Sequence, residues 1–188
     1  MEHKKLFFDK SRRGAFLAVL LVLSAGVLSA QQELPGDWLR FSLRGSSFGP
    51  LFEASSVLEP GEGIYLSRYD SDKAMDRDRN TAWVEGVPGP GHGESYWLGL
   101  EHYPEALGLI NGYAKNRELF EKNYRLRRVK VQLFAGVNLS GFAGQWHDYY
   151  DALPISSART LELSDSMEAQ RIELPFDIST VVPRMEEF

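Results

Sequence analysis

Cysteine is absent from all 188 residues. That excludes a disulfide framework, a thiolate zinc site, a cysteine nucleophile and a lipid-modified cysteine at an export-signal junction. The chain needs no such staple, because about 150 residues can bury a core unaided. No apolar run reaches the roughly 20 residues of a membrane-spanning helix. The longest, Ala15 to Leu28, has 14. Amphipathic helical periodicity is nearly absent, and there is no internal repeat or low-complexity segment. Positive charge is also short: the net charge is −5.

The positive charge that exists is concentrated at the start. Lys4, Lys5, Lys10, Arg12 and Arg13 precede the apolar run, and Leu28-Ser29-Ala30 follows it. This is the layout of a secretory signal peptide, with cleavage expected after Ala30. Leu28 is an unusual residue three places before the cut, which keeps an uncleaved membrane anchor as the competing reading. Residues 31–36 read as a short leader and 37–188 as one domain. Removing 1–30 takes away five basic and two acidic residues and moves the net charge to −8. An acidic domain is a poor match for nucleic acid or for anionic membrane. The remaining basic cluster, Arg125 to Lys130, alternates with apolar residues and reads as the outer face of a strand. The expected location is the periplasm, the cell surface or the medium.

Short strand patterns separated by Gly, Pro and Asp fill the domain and argue for an all-β sandwich, with a barrel as the alternative. Trp38 to Phe52 reads as an opening strand and Gly/Ser turn. Ala54 to Pro60 and Ala82 to Glu85 read as further strands. Ser95 to Leu100 alternates, with Tyr96, Leu98 and Leu100 on one face. Leu107 to Tyr113 reads as a strand closing in an Asn-Gly turn, and Glu118 to Asn123 as a helical turn or loop. Tyr124 to Phe134 is the clearest strand, with a slip at Arg127-Arg128 that suits a β-bulge. Thr160–Leu163 and Gln170–Leu174 complete the set.

The segment densest in chemistry is Lys73 to Gly86. Asp76-x-Asp78-x-Asn80 imitates the start of an EF-hand loop. Thr81 stands where the turn glycine belongs and Val87 where the bidentate Glu belongs, so EF-hand is excluded. Side-chain oxygens of Asp76, Asp78 and Thr81, with backbone carbonyls, still suit a hard cation. The plain alternative is a solvated turn in which Asp and Asn bond their own backbone. Aromatic rings offer a second chemistry, since sugars stack their C–H faces on them. Trp83 and Trp97 read as strand core. Tyr113, Trp146, Tyr149 and Tyr150 read as loop residues, and Gln145 to Tyr150 as an exposed aromatic surface. Gly89 to Glu94 lacks the Lys-Ser/Thr of a phosphate loop. His92-Gly93-Glu94 lacks the cysteines of a zinc deaminase. Glu85 and Glu94 form a weak candidate pair for glycoside hydrolysis. Asn138-Leu139-Ser140 fits a glycosylation acceptor, a motif common by chance.

Ala74-Met75-Asp76-Arg77-Asp78-x-x-Thr81-Ala82-Trp83 resembles the Ala-x-Asp-Gly-Asp-x-x-Thr-x-Trp turn of discoidin, or coagulation-factor type C, domains. Further blocks run Thr81 to Gly86, Gly91-x-Gly93-Glu94, Ile110 to Lys115, and Asn123-Tyr124-Arg125. With them the chain is more similar to the bacterial NADase-type glycan-binding domain of the same galactose-binding-like superfamily. The resemblance covers Glu53 to Phe134 well. It implies an eight-stranded jelly-roll sandwich, no enzymatic activity, a structural calcium on Asp76 with Asp78 and Thr81 in the same turn, and a ligand surface at loop ends. Tyr113, Trp146 and Tyr149 are the expected glycan contacts. Two departures stand out. Arg77 replaces Gly, which strains the turn if φ is positive there. The resemblance also implies closing strands that are not evident after Val181, so a domain lacking its last strands is expected. A missing strand exposes a sheet edge. The expected function is glycan binding. The alternatives are a protein-interaction or envelope-assembly module using the same loops, and, third, a hydrolase.

Overall fold

The computed structural model describes residues 15–23, 37–46, 49–59, 68–100, 105–143, 147–177, 179 and 181. The alternation in Ser95 to Leu100 organises the fold. A strand that is apolar on both faces must lie between two apolar layers. Here that strand is β4 (Glu94–Leu100), and its residues Ser95 to Gly99 are all buried. The other strands are β1 (Ala15–Leu23), β2 (Leu39–Ser46), β3 (Gly49–Ala54), β5 (Ala106–Leu109), β6 (Arg128–Ala143), β7 (His147–Pro154), β8 (Arg159–Glu162) and β9 (Gln170–Glu173). Among the described residues a short helix, α1 (Arg117–Lys122), and a 3-10 turn at Ser71–Ala74 accompany the strands.

Seven strands form one antiparallel sheet in the order β1-β4-β3-β2-β7-β6-β8. β1 pairs with β6 as well as with β4, so the sheet curls back on itself. β5 and β9 form a separate antiparallel pair. This all-β arrangement agrees with a jelly-roll sandwich.

Each face of β4 meets its own cluster. Tyr96 and Leu98 pack with Phe52, Val131, Leu133 and Leu174 in the larger one. Trp97 packs on the other side with Phe41, Leu43, Phe134 and Tyr150. The Phe41 and Trp97 rings stack at 4.4 Å and 16°. Each buried ring or aliphatic chain contributes about 1.5–3 kcal/mol.

Several expectations need correction. The strand expected at Ala54 to Pro60 ends at Ala54, and the one expected at Ala82 to Glu85 is an extended loop. There Val84 N–H bonds Tyr69 O, and Val84 O accepts from Leu58 N–H, so both its backbone groups serve loop neighbours. Trp83 is therefore not on a strand, although its ring packs on Tyr96 at 5.3 Å. β6 begins at Arg128, so no strand slips at Arg127-Arg128. The register shift lies between Asn138 and Ala143. Tyr149 and Tyr150 lie on β7, not in a loop. Trp146, the leader 31–36 and most of the expected export signal lie outside the described residues; the part within them, Ala15–Leu23, is β1.

Candidate functional site

The Asp76 turn follows the 3-10 turn, which Asp70 caps by accepting from Ser71 N–H. Asp76 Oδ1 accepts from Asp78 N–H at 2.9 Å. The Thr81 hydroxyl lies 2.7 Å from Asp76 Oδ2 and 2.9 Å from Asp78 O. Asp78 folds back instead, its Oδ1 accepting from Asn80 N–H and Nδ2. These donors hold the Asp78 carboxyl below the usual carboxylate range. The three residues singled out by sequence thus share one turn, and Arg77 sits in it at φ 61°, in the left-handed region. Arg77 makes no hydrogen bond or ion pair with a described residue.

The turn suits a hard cation by its chemistry. Asp76 Oδ2, Thr81 Oγ1 and the Asp78 carbonyl form an all-oxygen group; both Asp76 oxygens and Asp78 Oδ1 already accept hydrogen bonds within the turn. Among the described residues no three His, Cys, Asp or Glu side chains converge. A cation here would draw on one carboxylate and on neutral oxygens, which calcium accepts.

Distant segments fix this turn. The Tyr113 hydroxyl donates to Asn80 O at 2.9 Å. Arg79 donates to Met167 O at 2.8 Å. Tyr113 belongs to the Asn111-Gly112-Tyr113 turn, where Gly112 has φ 68°. A Cβ on Gly112 would meet Arg125 Cγ at 2.9 Å. Asn111 is fully buried. It donates to Leu126 O and Ser164 O and accepts from Leu126 N–H, at 2.8, 2.9 and 2.8 Å. One amide therefore braces three segments, which is why Leu126 cannot begin β6.

Beside this brace lies a depression of about 600 Å³, lined by Glu121, Lys122, Tyr124, Arg125, Leu163 and Asp165 among others. Tyr124 is 71% exposed, the most exposed of the large apolar side chains described. Arg125 pairs with Asp165 and lies over the Phe120 ring at 4.8 Å. Arg125 holds the Asp165 carboxyl below its usual range. Tyr124 was not among the expected contacts. The signal available was its position beside Arg125, at the end of a polar helix.

The expected aromatic set does not assemble as a group. Tyr113 is half-buried and braces the Asp76 turn through Asn80 O; it does not line the depression. Tyr149 is exposed on β7, opposite Ser42 of β2, and Tyr150 is buried in the Phe41 cluster. Trp146 lies outside the described residues. Glu94, one of the weak hydrolase pair, accepts from the Ser55 hydroxyl at 2.6 Å and from the Ser56 hydroxyl. It anchors the end of β3 to β4.

A polar network unseen in the sequence joins β2, β3 and the 3-10 turn. Arg44 Nη2 reaches Asp70 Oδ1 at 2.6 Å, its Nε reaches Glu53 Oε2 at 3.1 Å, and Nη2 also donates to Ser71 Oγ. Arg44 holds the Asp70 carboxyl below its usual range. Burial pushes the Tyr96 phenol well up, and its hydroxyl donates to Ser71 O at 2.8 Å. This network seats the 3-10 turn that leads into Asp76.

A family model described as the NAD glycohydrolase translocation F5/8 type C domain matches residues 49–183. No curated protein and no solved structure matches the chain.

Proposed function

The chain belongs to the NAD glycohydrolase translocation F5/8 type C domain family, and from that premise we propose that it is an exported glycan-binding module with a calcium-supported loop. The family model describes a translocation domain and not the glycohydrolase itself. The coarse class is accordingly a non-catalytic binding or translocation module with a discoidin-like fold. Glycan as the ligand, calcium as the support and export as the route are the finer reading.

The observation that carries this reading is the joining of the Asp76 turn to the Tyr113 turn through the Tyr113–Asn80 hydrogen bond. The Tyr113 turn in turn meets the lining of the Tyr124 depression through Asn111, which bonds Leu126, and Gly112, which lies against Arg125. One exposed ring, Tyr124, flanked by the Asp165 carboxylate, the Asn123 amide and the Arg125 guanidinium, suits sugars, which offer C–H faces and hydroxyls together. Asp76, Thr81 and the Asp78 carbonyl would hold the cation. Its role would be to neutralise Asp76 and stiffen the turn.

The test is a glycan array probed with the full chain, once with calcium and once with a chelator. Saturable binding to a related set of sugars, weakened by the chelator and by Tyr124→Ala, is the expected result. A blank array with folded protein in both conditions refutes the glycan reading. Binding indifferent to chelator and to Asp76→Ala refutes the calcium reading alone.

A further inference from the structure

β1 occupies an unusual place. It is the first strand in the chain, yet it lies between β4 and β6, which are otherwise not neighbours. On one side seven residues, Leu17 to Leu23, pair with Leu100 to Glu94. On the other, Ala15 to Val22 pair with Val137 to Lys130. Every other adjacency around the sheet, β4-β3-β2-β7-β6, is made without β1. The curled sheet therefore closes only through this strand.

Register says what the slot requires. Directly opposed residues in antiparallel strands share a face. Leu17, Val19 and Leu21 stand opposite Leu100, Leu98 and Tyr96 on β4, and opposite Ala135, Leu133 and Val131 on β6. All six of those neighbours belong to the larger core or pack against it. Ala18 and Leu20 stand opposite Gly99 and Trp97, and opposite Phe134 and Gln132. Trp97 and Phe134 belong to the second cluster. An alternating strand would place polar residues against one of these layers. An uninterrupted apolar run fits both, and Ala15–Leu23 is such a run, without charge or proline.

We propose that the seam between β4 and β6 is a strand-acceptor site for an extended, uncharged peptide of about nine residues, apolar on both faces, and that Ala15–Leu23 is its occupant. Main-chain pairing to two edges supplies the affinity, and the two apolar layers supply the selectivity. The segment joins the rest of the domain only through the connection 24–36, so it is a separable part: the same peptide added in trans takes its place. This inference is independent of the glycan ligand, because it concerns backbone pairing on the opposite side of β4 from β3. It bears on the export route, since cleavage after Ala30 would remove the occupant and leave the seam open.

The first arm of the test is hydrogen exchange on the intact chain. Amides of 15–23 are expected to exchange at least ~100-fold more slowly than in an isolated peptide of the same sequence. Exchange at the free-peptide rate overturns the proposal. The second arm places a protease site within 24–36 and cuts the folded protein. The N-terminal fragment is expected to remain bound through gel filtration and to be replaced by a labelled peptide spanning residues 11–30. The same peptide carrying Val19→Asp and Leu20→Asp is expected not to replace it. Displacement is expected to raise exchange at 94–100 and 130–137, and rebinding to restore it. Loss of the fragment with exchange at 94–100 and 130–137 unchanged overturns the proposal, since the seam would then need no occupant. Equal uptake of the aspartate peptide overturns the selectivity. If the inserted site prevents folding, refolding the unmodified chain with excess labelled peptide reads the same competition. No incorporation there overturns it too.

Discussion

Replacing Arg77 by glycine is expected to stabilise the domain by about 0.5–1 kcal/mol. Arg77 has φ 61°. An L-residue in that region costs roughly 1–2 kcal/mol, because Cβ crowds the following carbonyl. Glycine removes the crowding but loses roughly 0.5–1 kcal/mol of additional chain entropy on folding. The difference favours glycine. Nothing offsets it from the side chain, which is exposed and makes no hydrogen bond or ion pair with a described residue. For a domain of this size the gain corresponds to about 1–4 °C in Tm. The assay is thermal and urea unfolding of the full chain in chelator, so that metal linkage does not enter. Arg77→Ala is the control. It keeps Cβ and the strain, and its Tm is expected within about 1 °C of the parent. A Tm for Arg77→Gly at or below that of Arg77→Ala would refute the strain argument. It would mean that the turn relaxes to negative φ in solution or that the guanidinium has a role of its own.

Asn111→Ala is expected to destabilise by about 3 kcal/mol or more, read from urea midpoints, because it leaves Leu126 N–H and two carbonyls without their partner in a buried place. Acid stability follows Asp70. Its folded pKa lies below the unfolded value of about 3.9, with the Arg44 hydrogen bond as the leading cause. Its contribution is therefore complete above about pH 4 and fades as pH falls through the folded pKa. Asp70→Asn should lower stability at pH 7 and shrink the loss on acidification, and melts from pH 7 to 2 check this. Saturating calcium should raise the Tm of the parent. At 100 times Kd the gain is about 2.7 kcal/mol, and Asp76→Ala should abolish the shift.

The parts of the fold legible in the sequence are those whose signal is local. β4 was readable because alternation in a six-residue window places Tyr96 and Leu98 on one layer and Trp97 on the other. The Asp76 turn was readable because its hydrogen bonds run between residues at most five apart. Other features depend on partners far along the chain. Leu126 looks like strand by composition, but its backbone is taken by Asn111. Arg44, Glu53 and Asp70 come together only through the β2–β3 hairpin and the seating of the 3-10 turn. The polar neighbours of Tyr149 and Tyr150 suggest a loop, whereas pairing with β2 and β6 makes them strand. The apolar segment at 15–23 is ambiguous on physical grounds. A run of this length serves an export signal and a strand buried on both faces equally well.

The position of β1 also sets a clock. Its partner on β6 extends to Val137, so ribosomal synthesis must add more than 100 residues after Leu23 before the second edge of its slot exists. At ~5–20 residues per second that interval is roughly 6–23 s. Throughout it the most apolar segment of the nascent chain is finished, outside the ribosome for most of the time, and unpaired on at least one side. Any factor that recognises such segments has first claim on it.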